Sequence, residues 1–182
     1  NVLRRIAYLA APLTARLDSV MRLEDAGVAA IVMHSLFEEQ ITFTASGRIH
    51  HRDPLDPHFA AALAPFPAPE DYPFEPSEYV EHLRRVVEAV RVPVIASLNG
   101  TSPESWLLYA KQFESGGASP VELNSYHIVT ETGVPGTTVE DQILHIVTEM
   151  RRALRLPTAV KLSPYFSAFA NFASRLDAAG AD

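Results

Sequence analysis

The sequence predicts an α/β fold, a TIM (β/α)8 barrel of which about the first five βα units are present. Residues 23–27, 113–117 and 176–180 share a pattern in which a helical segment ends on glycine. Short apolar runs follow the first two copies, and similar runs at 93–97 and 157–161, each opened by proline, alternate with them. Apolar runs separated by helices are typical of buried parallel strands joined by crossover helices.

Each element follows from one of these patterns. The glycine at a helix end supplies the positive φ that a helix stop favours, and Pro93 and Pro157 block any continuation of the preceding helix. Right-handed crossovers then give either a barrel or an open doubly wound sheet. The third copy reaches Gly180 with no strand after it, which favours part of a longer barrel. Strands are predicted near 6–10, 29–33, 93–97, 120–124 and 157–161, and helices near 16–26, 77–90, 103–115, 138–154 and 165–179.

Residues 1–182 are expected to form a single partial barrel domain with one long βα loop, at about 42–76. Seven of the fourteen prolines lie in this loop, and a short helix near 58–64 is expected inside it. The loop also holds Phe59, Phe66, Tyr72 and Phe74, more aromatic residues than a solvated linker would carry. Because it leaves the ligand side of a parallel sheet, we expect a lid or an active-site wall. A surface insertion is the alternative.

Composition limits the kinds of partner. The net charge of −7 argues against a surface for nucleic acid or anionic membrane. No apolar run approaches the roughly 20 residues of a membrane-spanning helix. The absence of cysteine predicts a reducing cytoplasm and excludes thiolate chemistry. We therefore expect a cytoplasmic protein with a small-molecule substrate, and leave open whether it is a monomer or a homodimer.

Polar side chains follow four of the predicted strands, at the end where βα loops converge. A buried polar group costs free energy unless it is satisfied, so the set predicts a polar ligand. Lys161 is the strongest candidate because an ammonium at a strand end needs an anionic or carbonyl partner. An internal salt bridge with Glu122 is the alternative for Lys161, and a strand-end cap is the alternative for Asn124. The set consists of His34, Ser35, Ser97, Asn99, Glu122, Asn124 and Lys161.

Residues 160–166 and 121–124 together resemble the dihydroorotate dehydrogenase family, flavin enzymes built on a TIM barrel. Residues 23–41 and 93–100 are similar to the bacterial dihydroorotate dehydrogenase-like branch. The resemblance implies a noncovalent FMN over the C-terminal mouth of the barrel. It also implies an FMN-dependent oxidoreductase of pyrimidine biosynthesis, which oxidises dihydroorotate or a related reduced ring by hydride transfer to the flavin.

The resemblance also assigns roles to individual residues. Lys161 would hydrogen-bond the flavin and stabilise its reduced anion, and Asn124 would contact both flavin and substrate. Asn99 would join Asn124 at the substrate. The remaining flavin contacts would be Ala10, Ala11, His34 and Ser35.

The sequence departs from the family at two positions. His34–Ser35 stands where the dehydrogenases usually carry Lys-Ser or Lys-Thr. The family's catalytic base lies three residues beyond the asparagine, which here gives His127, with Ser125 and Tyr126 alongside as the alternative candidates. His127 has a suitable unperturbed pKa for proton abstraction, and an exposed loop histidine is the alternative. The catalytic residues predicted in this way are His127, Ser125 and Lys161.

Two other functions stay open on the residues alone. One is a non-catalytic α/β module that binds a small anion, and the other is a flavin oxidoreductase with a different substrate. No metal site is expected, because the histidines near 50–58 lie in a proline-rich loop without ligand spacing. His82 and His145 are expected to face solvent from their helices, and Trp106 is expected to pack in the core.

Overall fold

The computed structural model describes residues 12–37, 76–100, 103–125 and 129–182. Four parallel strands in this part of the chain form one sheet, in which sequence neighbours are also neighbours in space. The predicted strand near 6–10, the helix near 58–64 and almost all of the loop at about 42–76 lie outside the described residues. The strands are β1 (Ile31–Phe37), β2 (Val94–Asn99), β3 (Val121–Ser125) and β4 (Thr158–Leu162).

Helices alternate with these strands, as the sequence predicts, and every predicted helix within the described ranges is present to within a few residues. None of them is long and apolar enough to cross a membrane. The helices and strands share one apolar core, in which Trp106 is 1% exposed and confirms its predicted packing role. The helices are a 3-10 helix η1 (Pro12–Ala15), α1 (Leu17–Asp25), α2 (Pro76–Ala89), α3 (Pro103–Ser115), α4 (Gly136–Ala153) and α5 (Phe169–Ala179).

The glycines that predict the helix ends have the expected backbone conformation. Gly117 follows α3 with φ of 88°, and Gly180 follows α5 with φ of 104°. At Gly180 the limit is also steric, because a Cβ would lie 2.7 Å from Cγ of Arg151. A side chain at this position would therefore meet both a strained backbone and a close neighbour.

Two glutamates at equivalent positions of the repeated segments make equivalent hydrogen bonds. The Glu24 side chain, at the end of α1, accepts a hydrogen bond from the backbone N–H of Arg91 at 2.6 Å. The Glu114 side chain, at the matching position of α3, accepts one from the backbone N–H of Arg155 at 2.9 Å. Glu24 thus links the end of α1 to the turn before β2, and Glu114 links the end of α3 to the turn before β4.

The two faces of the sheet differ in character. Leu98 and Leu123 lie in register on the face that packs against the helices, and both are buried in the apolar core. Side chains alternate along a strand, so Ser97 and Glu122, which are also in register, lie on the opposite, inner face. The inner face therefore carries the polar side chains that the sequence predicts as a site.

Candidate active site

Two rows of the inner face bring the predicted site residues together at the carboxyl ends of the strands. Strand register places Phe37, Asn99, Asn124 and Lys161 side by side in the outer row, nearest the strand ends. One step deeper, the register pairs Ser35 with Ser97, and Ser97 with Glu122. In βα barrels the active site lies at this end of the strands. We call the six polar residues, Ser35, Ser97, Asn99, Glu122, Asn124 and Lys161, the strand-end cluster.

A chain of contacts crosses the cluster from β1 to β4. The hydroxyl oxygens of Ser35 and Ser97 are 2.8 Å apart. The Ser97 hydroxyl donates to Oε1 of Glu122 at 2.7 Å, and Nζ of Lys161 lies 3.4 Å from the same oxygen. Four neighbouring strands therefore each contribute one member of a connected polar network.

Glu122 is the centre of this network and is almost completely buried, with 1% of its surface exposed. Its second oxygen, Oε2, has no hydrogen-bond partner among the described residues. A buried carboxylate is costly unless it is paired and hydrogen-bonded. Lys161 and Ser97 meet this requirement from opposite sides through the single oxygen Oε1.

Lys161 combines this ion pair with access to solvent. The salt bridge with Glu122, given by the sequence as the alternative for Lys161, is present. The Lys161 side chain is nevertheless 31% exposed, against 1% for its partner. The carboxylate therefore holds the amine at the carboxyl end of β4 while part of the lysine side chain remains exposed.

The two asparagines lie next to Lys161 in the outer row. Asn124 is 5% exposed, and its Oδ1 has no hydrogen-bond partner among the described residues. Asn99 is half-buried on the neighbouring strand. Both asparagines therefore place an amide group in the row that contains the lysine, where each could contact the same small ligand.

His34 lies elsewhere, because β1 contains a bulge. Val32 pairs with Ile95 but Ser35 pairs with Ser97, so β1 has one more residue than β2 between these pairs. An extra residue bends the strand and redirects the side chains around it. Strict alternation from Val32 would turn His34 inward, whereas the bulge brings Ser35 to the inner row.

The His34 ring instead contacts α2. It lies edge-on to the Tyr79 ring, with 5.0 Å between centroids, and 6.3 Å from the ring of His82. The Tyr79 hydroxyl lies 3.3 Å from both the backbone N and O of Ser97, where the bulge interrupts the ladder between β1 and β2. Burial raises the pKa of Tyr79, so the hydroxyl stays protonated and can donate to the Ser97 carbonyl while it accepts from the N–H.

His82 is buried, so the expectation that it faces solvent is wrong. Its exposed fraction is 5%, and its Nε2 donates to the backbone carbonyl of Thr14 at 2.8 Å. The backbone N–H of His34 donates to the Thr14 hydroxyl at 2.8 Å. The two histidines thus hold η1 against the sheet and α2. His145, by contrast, is exposed as expected.

Acid is expected to weaken the fold through His34. Burial, with a smaller contribution from His82, lowers the pKa of His34 from 6.5 to about 4. Between these values the unfolded chain binds a proton that the folded chain excludes. Stability is therefore unaffected above pH 6.5 and falls as the pH drops toward 4, by up to about 3 kcal/mol.

Urea unfolding at pH 7, 5.5 and 4.5 measures this loss. His34→Gln should lose clearly less stability across the range than the unmodified protein does. His145→Gln removes an exposed histidine and should leave the pH dependence unchanged. An equal pH dependence in the unmodified protein and His34→Gln would show that another group is responsible.

Of the remaining predicted residues, only Ser125 lies within the described part of the chain. Ala10, Ala11, Tyr126 and His127 lie outside the described residues. Ser125 is 5% exposed and, by alternation, shares the helix-facing side of β3 with Leu123. Within the described ranges, no group of three or more His, Cys, Asp or Glu side chains could hold a metal ion.

The fold matches solved structures over nearly the whole chain. A proposed dihydrodipicolinate synthetase from Pseudomonas aeruginosa matches with a TM-score of 0.57 and 19% identity, over 94% of this chain and 50% of that one. Phosphonopyruvate hydrolase matches with a TM-score of 0.57 and 15% identity, over 98% and 57%. N-acetylneuraminate lyase from Mycoplasma synoviae matches with a TM-score of 0.52 and 13% identity, over 92% and 44%.

This chain is a partial TIM barrel, as its sequence predicts. It spans about half the length of the structures that it matches. At these identities the likeness shows the fold alone. No protein-family model matches the sequence, and no curated protein matches it either.

The comparison contradicts the predicted dihydroorotate dehydrogenase membership. The three structures described above are named as a synthetase, a hydrolase and a lyase, and none of them as a flavin dehydrogenase. The oxidoreductase activity, the FMN cofactor and the role in pyrimidine biosynthesis were inferred from that membership and are corrected with it. The motifs behind the resemblance are short apolar strands that end in Lys, Asn or Ser. Many barrels with different chemistry need such residues at this edge.

Proposed function

We propose that the protein is a barrel enzyme that makes or breaks a bond next to the carbonyl of a small 2-oxo acid, with Lys161 as its nucleophile. The observation that carries this proposal is a partly exposed lysine, at the carboxyl end of a barrel strand, paired with a buried carboxylate. Lysine amines form Schiff bases with carbonyl substrates. Phosphonopyruvate, the compound in the name of one matched structure, is a substituted 2-oxo acid.

The pair of Lys161 and Glu122 can carry out the first step. The Lys161 ammonium releases one proton to solvent while Glu122 stays ionised, and the free amine attacks the carbonyl carbon to form a nitrogen–carbon bond. The former carbonyl oxygen takes up one proton from solvent and a second from the attached nitrogen, and leaves as water. The cationic imine that remains accepts the electron pair of the neighbouring bond as that bond breaks, and the reverse sequence makes the bond.

The outer row supplies contacts for the rest of the substrate. A 2-oxo acid carries a carboxylate beside its carbonyl, and a side-chain amide can donate to carboxylate oxygens. Asn99 and Asn124 lie in register with Lys161 and are assigned this role.

The absence of cysteine from the sequence supports a cytoplasmic location for such an enzyme.

Chemical trapping tests the proposal. Incubation with pyruvate, glyoxylate or 2-oxobutyrate, followed by borohydride, is expected to attach the reduced acid irreversibly to Lys161. The sequence contains only one other lysine, Lys111, which is exposed on α3 and serves as an internal control. Peptide mass mapping should find the adduct on Lys161 and not on Lys111. No adduct with any of the three acids, or equal labelling of both lysines, would overturn the Schiff-base function.

A further inference from the structure

We propose that Ser97 is a positioning residue that controls the reactivity of Lys161 through Glu122. Ser35, on the neighbouring strand β1, orients the Ser97 hydroxyl. This inference deepens the proposed function and rests on it for its role in catalysis. The underlying effect on the Lys161 amine can be measured without any substrate.

The direction of the hydrogen bonds follows from the number of protons available. A serine hydroxyl has one proton to donate and can accept from others. Ser97 donates its proton to Oε1 of Glu122, so in the contact with Ser35 it must accept. Ser35 therefore donates to Ser97, and Ser97 donates to Glu122. Both hydroxyls direct positive hydrogen toward the buried carboxylate.

Ser97 and Lys161 share a single oxygen of Glu122. The hydroxyl lies at 2.7 Å from Oε1 and Nζ at 3.4 Å, while Oε2 has no partner among the described residues. Hydrogen bonds to a carboxylate stabilise its charge. Without the Ser97 hydroxyl, more of that stabilisation must come from the Lys161 ammonium, which then holds its proton more tightly.

The position of Ser97 is itself fixed. Its backbone N and O both bond the Tyr79 hydroxyl beside the bulge, and its side chain is completely buried. The bulge in β1 is also what brings Ser35 level with Ser97. The serine pair is therefore held by the sheet and by α2, and it stays in place when Lys161 moves to bind a carbonyl.

Reductive methylation with formaldehyde and cyanoborohydride measures the free amine at both lysines in one sample. Ser97→Ala is expected to lower the Lys161-to-Lys111 labelling ratio about tenfold, since a hydrogen bond to a charged group contributes roughly that factor or more. Ser97→Thr keeps the hydroxyl and should restore the ratio. Ser35→Ala should lower it less, by about twofold, because Ser35 acts only through Ser97. Ser174→Ala, an exposed change on α5, should have no effect.

A double-mutant cycle separates this role from a merely structural one. In a Glu122→Gln background the carboxylate charge is gone, so Ser97→Ala should no longer change the ratio. An unchanged or increased ratio in folded Ser97→Ala, or the same tenfold loss in the Glu122→Gln background, would overturn the proposal. If Ser97→Ala does not fold, the labelling ratio of Ser35→Ala is the test. An unchanged Lys161-to-Lys111 ratio in Ser35→Ala would then overturn the proposal. A shift in labelling without any 2-oxo acid adduct would leave this inference standing and remove the proposed function.

Discussion

Lys161→Arg is expected to abolish trapping by borohydride and to lower turnover of the trapped 2-oxo acid by on the order of a thousandfold or more. Arginine keeps a positive charge opposite Glu122, so the buried carboxylate retains an ionic partner. A guanidinium does not lose its proton in proteins and cannot attack a carbonyl. The substitution thus separates the chemistry of the amine from the stability that its charge provides.

Two further variants complete the test of Lys161. Lys161→Ala should lose the same activity and also stability, because the buried Glu122 loses its ion pair with Lys161. Lys111→Arg makes the same chemical change on the exposed surface of α3 and should keep full activity. Turnover and trapping that survive in Lys161→Arg would make Lys161 a structural residue.

The largest effect on stability is expected at Phe113. Its side chain is completely buried, and its ring lies 5.3 Å from that of Tyr79 between α3 and α2. Phe113→Ala should lower the free energy of unfolding by about 3–5 kcal/mol, because burial is lost and a cavity remains. Urea unfolding at neutral pH measures the change.

Leu108→Ala is the matched control, since Leu108 lies on the same helix and is 55% exposed. Alanine favours helix at both positions, so the two variants differ mainly in how much buried apolar surface they remove. Leu108→Ala should change the free energy of unfolding by less than about 1 kcal/mol. Equal losses in the two variants would mean that the core around Phe113 closes over the missing ring.

The sequence predicts the helices and strands within the described ranges well, because local signals agree with the tertiary structure. Gly27, Gly117 and Gly180 all have positive φ at the helix ends. Pro93 and Pro157 each directly precede a strand, although the strands begin and end a residue or more later than predicted. Where glycine, proline and apolar periodicity coincide, the chain has few alternatives.

The arrangement within the site was only partly predictable. The presence of Ser97, Glu122 and Lys161 at strand ends follows from the pattern, since parallel strands end at one edge. The bulge does not, because the strand predicted near 29–33 ends before the pairing with β2 resumes at Ser35. Two placements were missed for this reason, the turn of His34 toward α2 and the alignment of Ser35 with Ser97. The burial of His82 could have been found from its helical spacing to Tyr79 and Val86.

The function was harder to predict from the sequence than the fold or the position of the site. Short motifs such as residues 121–124 and 160–166 can resemble one barrel family while the backbone matches proteins with other activities, because similar groups serve different reactions at the same edge. A polar residue at a strand end therefore indicates where chemistry takes place. Which chemistry it is depends on the partners of that residue, here the shared oxygen of Glu122.

The matched contacts of Glu24 with Arg91 and of Glu114 with Arg155 bear on how such a chain could evolve. Each contact joins the end of one helix to the start of a later strand, so it spans a pair of βα units. A single unit that was duplicated or exchanged would break one such contact at its boundary, whereas a pair could be moved with its own contact intact. Recombination within this barrel should therefore succeed most often when whole pairs are inherited together.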